Sequence, residues 1–186
     1  MSAMVLHPTP LAGLTLIETS PISDERGRFV RVFCESELEA LRPGLHFPQI
    51  NLSTTYQRGS VRGMHFQHPP AAEAKLIRCV RGRVFDVAVD LRAGSSTFLQ
   101  WFGVELAEEA PLQFFIPEGF AHGFQALTDD AQLLYLHTAS WSRAHEGGLR
   151  YDDPRLAIDW PLTVSQVSER DRIAAPLDQD FPGIHP

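Results

Sequence analysis

The sequence predicts an all-β fold, closed on itself as a jelly roll or barrel. Fourteen prolines and thirteen glycines interrupt the 186 residues at short intervals. Between them lie runs of about five to eight residues rich in Val, Phe, Leu and Ile, the length and composition of strands. Only Glu35–Leu41 reads as a helix before the sheet begins. Closing many short strands into a double sheet also removes most exposed edges.

In chain order, strands are expected at Leu14–Thr19, Arg28–Phe33, Lys75–Val80, Val84–Leu91, Phe98–Leu106, Leu112–Ile116 and Leu133–Thr138. Gly82 breaks Lys75–Arg81 from Arg83–Asp90, so a hairpin is expected there. A helical turn is expected at Ser168–Ile173. The segment from about residue 150 to 186 is turn-rich: Tyr151-Asp152-Asp153-Pro154, then Asp159-Trp160-Pro161. It reads as a strap across the barrel anchored by Trp160, because a large aromatic gains much from burial. With an N-terminal arm, the whole of 1–186 forms a single domain, as suits this length.

Composition sets further bounds. Hydrophobic residues are 44% and charged residues 21%, ordinary for a globular chain. A net charge of −7 argues against broad nucleic-acid binding, which needs a basic surface. It leaves room for an anionic small molecule held by a few arginines. No apolar run approaches the roughly 20 residues of a membrane span, and Met1–Pro8 lacks a signal-peptide pattern. Cys34 and Cys79 form no CxxC pair and no disulfide framework. A cytoplasmic protein without nucleic-acid or membrane partners is expected.

Polar residues concentrate in segments that a core alone would not need: Asp24–Gly27 (DERG), Gln49–Asn51 (QIN), Arg62–Gln67 (RGMHFQ), Ile116–Phe124 (IPEGFAHGF) and Leu134-Tyr135. Lys75 opens an otherwise apolar strand. Asp86 and Asp90 share one face of theirs by alternation. With these, Lys75–Arg92 (KLIRCVRGRVFDVAVDLR) and the ordered tail DDP, WP and SERD, the sequence resembles the dTDP-4-dehydrorhamnose 3,5-epimerase family, the RmlC-like cupins, from about Leu14 to Asp171. Several long motifs in order are far more specific than one short pattern.

The resemblance implies a cupin jelly roll and a homodimer that exchanges N-terminal strands. It implies an isomerase of deoxysugar biosynthesis, of the dTDP-rhamnose type, that inverts C3 and/or C5 of a nucleotide-linked 4-keto-6-deoxyhexose with no metal or other cofactor. A proton next to a ketone is weakly acidic. Removing it needs a base at the carbon, a cation at the oxygen and an acid across the ring. The resemblance assigns these catalytic roles to His65 (base), Lys75 (enolate oxygen) and Tyr135 (acid), with Asp171 orienting His65. An imidazole titrates near neutrality, which suits a base. A carboxylate on its far nitrogen fixes the tautomer. Arg26, Gln49, Asn51, Arg62, His122, Trp141 and Glu146 fall at substrate-binding positions, with Arg26 supplied to the neighbouring subunit. Strict alternation would put Arg62 and His65 on opposite faces, so a bulge or a wrapped Arg62 head is required.

The chain departs from the common pattern at Arg31, commonly glutamate, at Ile50, commonly aspartate, and at Trp141, often tyrosine. Nucleotide, sugar and the carbon inverted are therefore open. Two rival readings compete with this one. A metal cupin needs clustered His and carboxylate ligands, but the usual HxH pair is missing. A non-catalytic sugar-nucleotide-binding cupin would lack an acid or base, and none is lost.

Overall fold

A computed structural model describes residues 4–186. Its elements are β1 (Val5–Pro8), β2 (Thr15–Glu18), β3 (Ile22–Asp24), β4 (Gly27–Phe29), α1 (Glu35–Leu38), β5 (Gln49–Thr55), β6 (Ser60–Gln67), β7 (Lys75–Arg81) and β8 (Arg83–Asp90). There follow β9 (Trp101–Ala107), β10 (Leu112–Ile116), β11 (Phe120–Ala126), β12 (Ala131–His137), β13 (Glu146–Gly148), β14 (Gln166–Val167) and α2 (Glu169–Arg172). One sheet has the order β1-β2-β10-β7-β12-β5 and the other β13-β6-β11-β8-β9, with β14 parallel to the start of β6. β3 and β4 form a separate hairpin. This is the mostly β cupin architecture that the sequence predicts.

Three apolar layers hold it together. Ile77, Val84, Ala88, Phe114 and Leu133 pack between the sheets. Ile17, Leu76, Phe115 and Leu136 pack with Leu38 and Leu45 outside the first sheet. Outside the second sheet, Val87 and Val89 meet Leu156, Leu177, Ile184 and the partly buried Trp160 of the tail. Trp160 stands edge-on to Phe85, and its Nε1 donates to the Tyr151 carbonyl at 2.9 Å. Among the described residues, no helix is long and apolar enough to cross a membrane.

The structure corrects three expectations. β7 and β8 do not pair as a hairpin. They belong to different sheets, and Gly82 (φ +70°) turns the corner between them. A Cβ there would lie 2.3 Å from Thr128 Oγ1, so the corner requires glycine. The strand expected at Arg28–Phe33 ends at Phe29, because its partner is the three-residue β3 and nothing continues the ladder. The strand expected from Phe98 begins at Trp101. Residues 95–100 instead wrap the buried Asp90, which accepts from Arg92 Nε (2.8 Å), Ser95 Oγ (2.6 Å) and Thr97 Oγ1 (2.7 Å). The segments at β5, β6 and β11, singled out for their polar chemistry, are themselves strands.

Burial pushes the Asp90 carboxyl up, but the Arg92, Ser95 and Thr97 hydrogen bonds outweigh it and hold it down at about 2. A depressed folded-state pKa stabilises above the unfolded value and loses that stabilisation as pH falls through the folded one. Asp90→Asn therefore costs about 2 kcal/mol at pH 7. In urea denaturation the gap from wild type should narrow as pH falls from about 4 to 2.

Candidate active site

The two sheets leave a cavity of about 260 Å³ between them at one end. Strand alternation fills it with polar groups. β7 points Lys75 into it and continues inward with Ile77 and Cys79; β12 runs from Leu133 in the core to Tyr135 and His137 at the cavity. Asn51 and Ser53 reach it from β5, Arg62 and His65 from β6, and His122 from β11. The His65 imidazole, the Tyr135 phenol and the Lys75 ammonium thus share one chamber.

Arg62 and His65 reach the same wall through a bulge. In the β6–β11 pairing, His65 faces His122 but Arg62 faces Phe124, so three steps on β6 match two on β11. The bulge sits at Gly63 (φ +126°), where a Cβ would lie 2.5 Å from Gly123 Cα and 2.9 Å from the His122 carbonyl. Only glycine fits. The bulge also frees the Gly63 N–H from the ladder, and it donates to Asp171 Oδ2 at 3.2 Å. The other oxygen, Oδ1, accepts from His65 Nε2 at 2.7 Å. β14 brings the tail alongside β6, and the Ser168 Oγ that caps α2 accepts from the Asp171 N–H at 3.0 Å.

Burial pushes the Asp171 carboxyl up, but His65 and the Gly63 N–H hold it below its ordinary value. The carboxylate is an acceptor only, so His65 Nε2 carries a proton, and in the neutral ring Nδ1 has the lone pair. Among the described residues no hydrogen bond engages Nδ1. An imidazole oriented this way can take a proton from carbon.

Lys75 is buried. Its Nζ donates to the His65 carbonyl at 3.3 Å and lies 3.4 Å from Glu73 Oε1. An ammonium has three donors, so one remains for the cavity. Tyr135 is half-buried, its ring edge-on to His122 and stacked on His137. Burial, reinforced by the Asp86 charge and opposed by Arg62, holds its phenol well above its ordinary value. It therefore stays protonated at neutral pH and can donate a proton. His122 Nε2 pairs with Asp86 Oδ1 at 2.8 Å in full burial. Burial pushes the Asp86 carboxyl up and the His122 imidazole down, each toward its neutral form.

Of the sequence-predicted residues, His65, Lys75, Tyr135, Asn51, Arg62, His122, Trp141 and Glu146 line the cavity, and Asp171 stands directly behind His65. Trp141 is 54% exposed at the mouth. Glu146 pairs with Arg170 of the tail at 2.5 Å. Two residues do not line the chamber. Gln49 Oε1 accepts from the Trp141 N–H at 2.9 Å and so holds that residue's backbone. Arg26, with its side chain 84% exposed, pairs with Asp24 on the β3–β4 hairpin. The departures are also placed: Arg31 pairs with Glu37, and Ile50 points outward from β5 at 60% exposure. Sequence reasoning missed Glu73, His137 and Ser53. His137 follows Tyr135 by two on one strand, and that period was the available signal. Among the described residues no three His, Cys, Asp or Glu side chains converge as metal ligands.

The family model for dTDP-4-dehydrorhamnose 3,5-epimerase matches residues 8–179. Over 172 residues the chain is 41% identical to the dTDP-4-dehydrorhamnose 3,5-epimerase of Sinorhizobium fredii, covering 92% of this chain and 88% of that one. It is equally identical, over 92% of itself and 83% of the relative, to a dTDP-4-dehydrorhamnose 3-epimerase of Streptomyces niveus. Among solved structures it is similar to the 3,5-epimerase of Legionella pneumophila in complex with dTDP-4-keto-L-rhamnose. That pair has a TM-score of 0.90 and 40% identity, over 98% of this chain and 99% of that one.

Gly63→Ala should cost roughly 3 kcal/mol or more, since it combines a forbidden φ with backbone overlap. Chemical denaturation measures this; a variant as stable as wild type would mean the bulge tolerates a side chain.

Proposed function

As a member of the dTDP-4-dehydrorhamnose 3,5-epimerase family, the chain is an isomerase acting on dTDP-linked 4-keto-6-deoxy sugars, and we propose that it inverts both C3 and C5 by cofactor-free proton transfer through an enolate. The observation that carries this is the shared chamber, with an imidazole lone pair, an ammonium and a protonated phenol around one space. His65 Nδ1 removes the proton next to the ketone. The free donor of Lys75 takes up the charge that develops on the carbonyl oxygen, where a partly dry cavity makes an ammonium worth far more than in water. Tyr135 returns a proton to the opposite face of the carbon, and Asp171 stabilises the imidazolium.

The same reading assigns the nucleotide end. Arg62, whose Nη1 already donates to Ser53 Oγ at 2.9 Å, offers its planar fork to the diphosphate. Trp141 stacks on the base, held by Gln49, and Asn51, His122 and Glu146 contact the sugar nucleotide. The β3–β4 hairpin carries Arg26 away from the chain's own cavity and exposes Phe29 at 68%. This supports a homodimer in which that arm is given to a second copy's site. Inversion at C3 alone is the second reading, favoured by the similarity to a 3-epimerase.

Incubated with dTDP-4-dehydro-6-deoxyglucose in D₂O, the protein should wash deuterium into C3 and C5, read by NMR. Label at C3 alone selects the second reading; no label overturns both. His65→Ala should slow exchange by about 10³-fold or more while the barrel stays folded. Tyr135→Phe should lower epimerisation by about 10²- to 10⁴-fold while exchange at the face served by His65 persists. Full epimerisation in the phenylalanine variant would remove the tyrosine from its role.

A further inference from the structure

The cavity holds a third imidazole–carboxylate pair that the mechanism above does not use. Glu73, just before β7, has a side-chain exposure of only 8%, and both its oxygens are committed. Oε1 faces Lys75 Nζ at 3.4 Å, and Oε2 accepts from His137 Nδ1 at 2.8 Å. The second nitrogen of His137, Nε2, meets Asn51 Nδ2 at 3.2 Å. The His137 ring lies 5.9 Å from that of Tyr135, with 14° between their planes.

We propose that Glu73 and His137 form a positioning pair, in which the carboxylate fixes the Lys75 ammonium and the imidazole fixes the Asn51 amide and the Tyr135 ring. This rests on the epimerase reading and adds residues to it. The hydrogen bonds set the roles. A carboxylate can only accept, so His137 Nδ1 carries a proton. With Nε2 taken by the Asn51 amide, neither nitrogen is open to substrate, unlike His65 Nδ1. His137 therefore holds its neighbours and transfers nothing itself. Asn51 gives one N–H to the ring, which leaves its Oδ1 as an acceptor for a sugar hydroxyl.

Glu73 does the corresponding work on the ammonium. A lysine head on a four-carbon stem is a flexible point charge. Tied to Glu73 on one side and the His65 carbonyl on the other, it offers its remaining donor in one direction. Preorganised donors of this kind act on charge that appears only in the transition state. Burial pushes the Glu73 carboxyl up, but the His137 hydrogen bond and the Lys75 charge prevail and hold it below its ordinary value. It stays an anion through the neutral range. Besides Lys75 and His137, the charged or titratable side chains lining the same chamber are Arg62, His65, His122, Tyr135 and Glu146.

The test is Glu73→Gln, which keeps the side chain's size and removes its charge. With dTDP-4-dehydro-6-deoxyglucose as substrate, kcat should fall about 10- to 100-fold and KM should change less than about threefold. Glu73→Asp, which restores the charge, should recover part of the loss. Unchanged kcat in a Glu73→Gln protein that still binds dTDP overturns the proposal. Should Glu73→Gln not fold, ¹⁵N NMR of the wild-type histidines decides: a His137 ring unprotonated at Nδ1 overturns the pair, and one protonated there supports it. Wild-type protein without deuterium wash-in would sink the epimerase reading itself, a separate result from wash-in unaffected by Glu73→Gln.

Discussion

The hydrogen bond from His65 Nε2 to Asp171 Oδ1 joins the barrel to a residue 106 positions away in the tail. It is short, charge-assisted and shielded on the Asp171 side. Its geometry depends on a bulge that only glycine can form, since Gly63 both turns His65 onto the cavity wall and supplies the N–H that grips the second Asp171 oxygen. The tail in turn reaches that point because β14 pairs with β6 and because Trp160, Leu156, Leu177 and Ile184 cover the outside of the second sheet. Packing on one face of the sheet thus fixes a tautomer on the other.

Between the sheets, apolar and polar halves divide the interior along the strands. Phe114, Leu133 and Val84 close one end, and the other carries three imidazole–carboxylate pairs with an ammonium among them. Burying so much charge is costly unless it is paired and hydrogen-bonded. Each carboxylate here meets that condition through a histidine, and Glu73 through Lys75 as well. Asp86 Oδ2 is an exception, buried with no hydrogen-bond partner among the described residues. Its carboxyl is pushed up toward the neutral form, because full burial outweighs the single partner at Oδ1, His122.

Much of this was legible in the sequence. Glycine and proline spacing gave the strands, and the order of the motifs gave the family and pointed to His65, Lys75 and Tyr135, which meet at the cavity, and to Asp171, which stands behind His65. The conflict between Arg62 and His65 under strict alternation already demanded a bulge. Other features were hidden for physical reasons. β5, β6 and β11 carry inward-facing polar residues, which blurs the apolar alternation that marks a strand. Gly82 looked like a hairpin turn because a corner between sheets uses the same positive φ. Glu73 precedes its strand and His137 follows Tyr135 by two, so only the folded pairing of β7 with β12 shows that they meet.

Asp171→Asn reverses the hydrogen bond that sets the His65 tautomer. The Gly63 N–H must face an acceptor, so the asparagine oxygen takes that side and its NH₂ turns toward His65. The ring must then accept at Nε2 and carry its proton on Nδ1, which removes the lone pair that the proposed proton abstraction uses. In this variant kcat should fall about 10³-fold, with dTDP affinity retained by calorimetry. A variant that turns over within about threefold of wild type would contradict it.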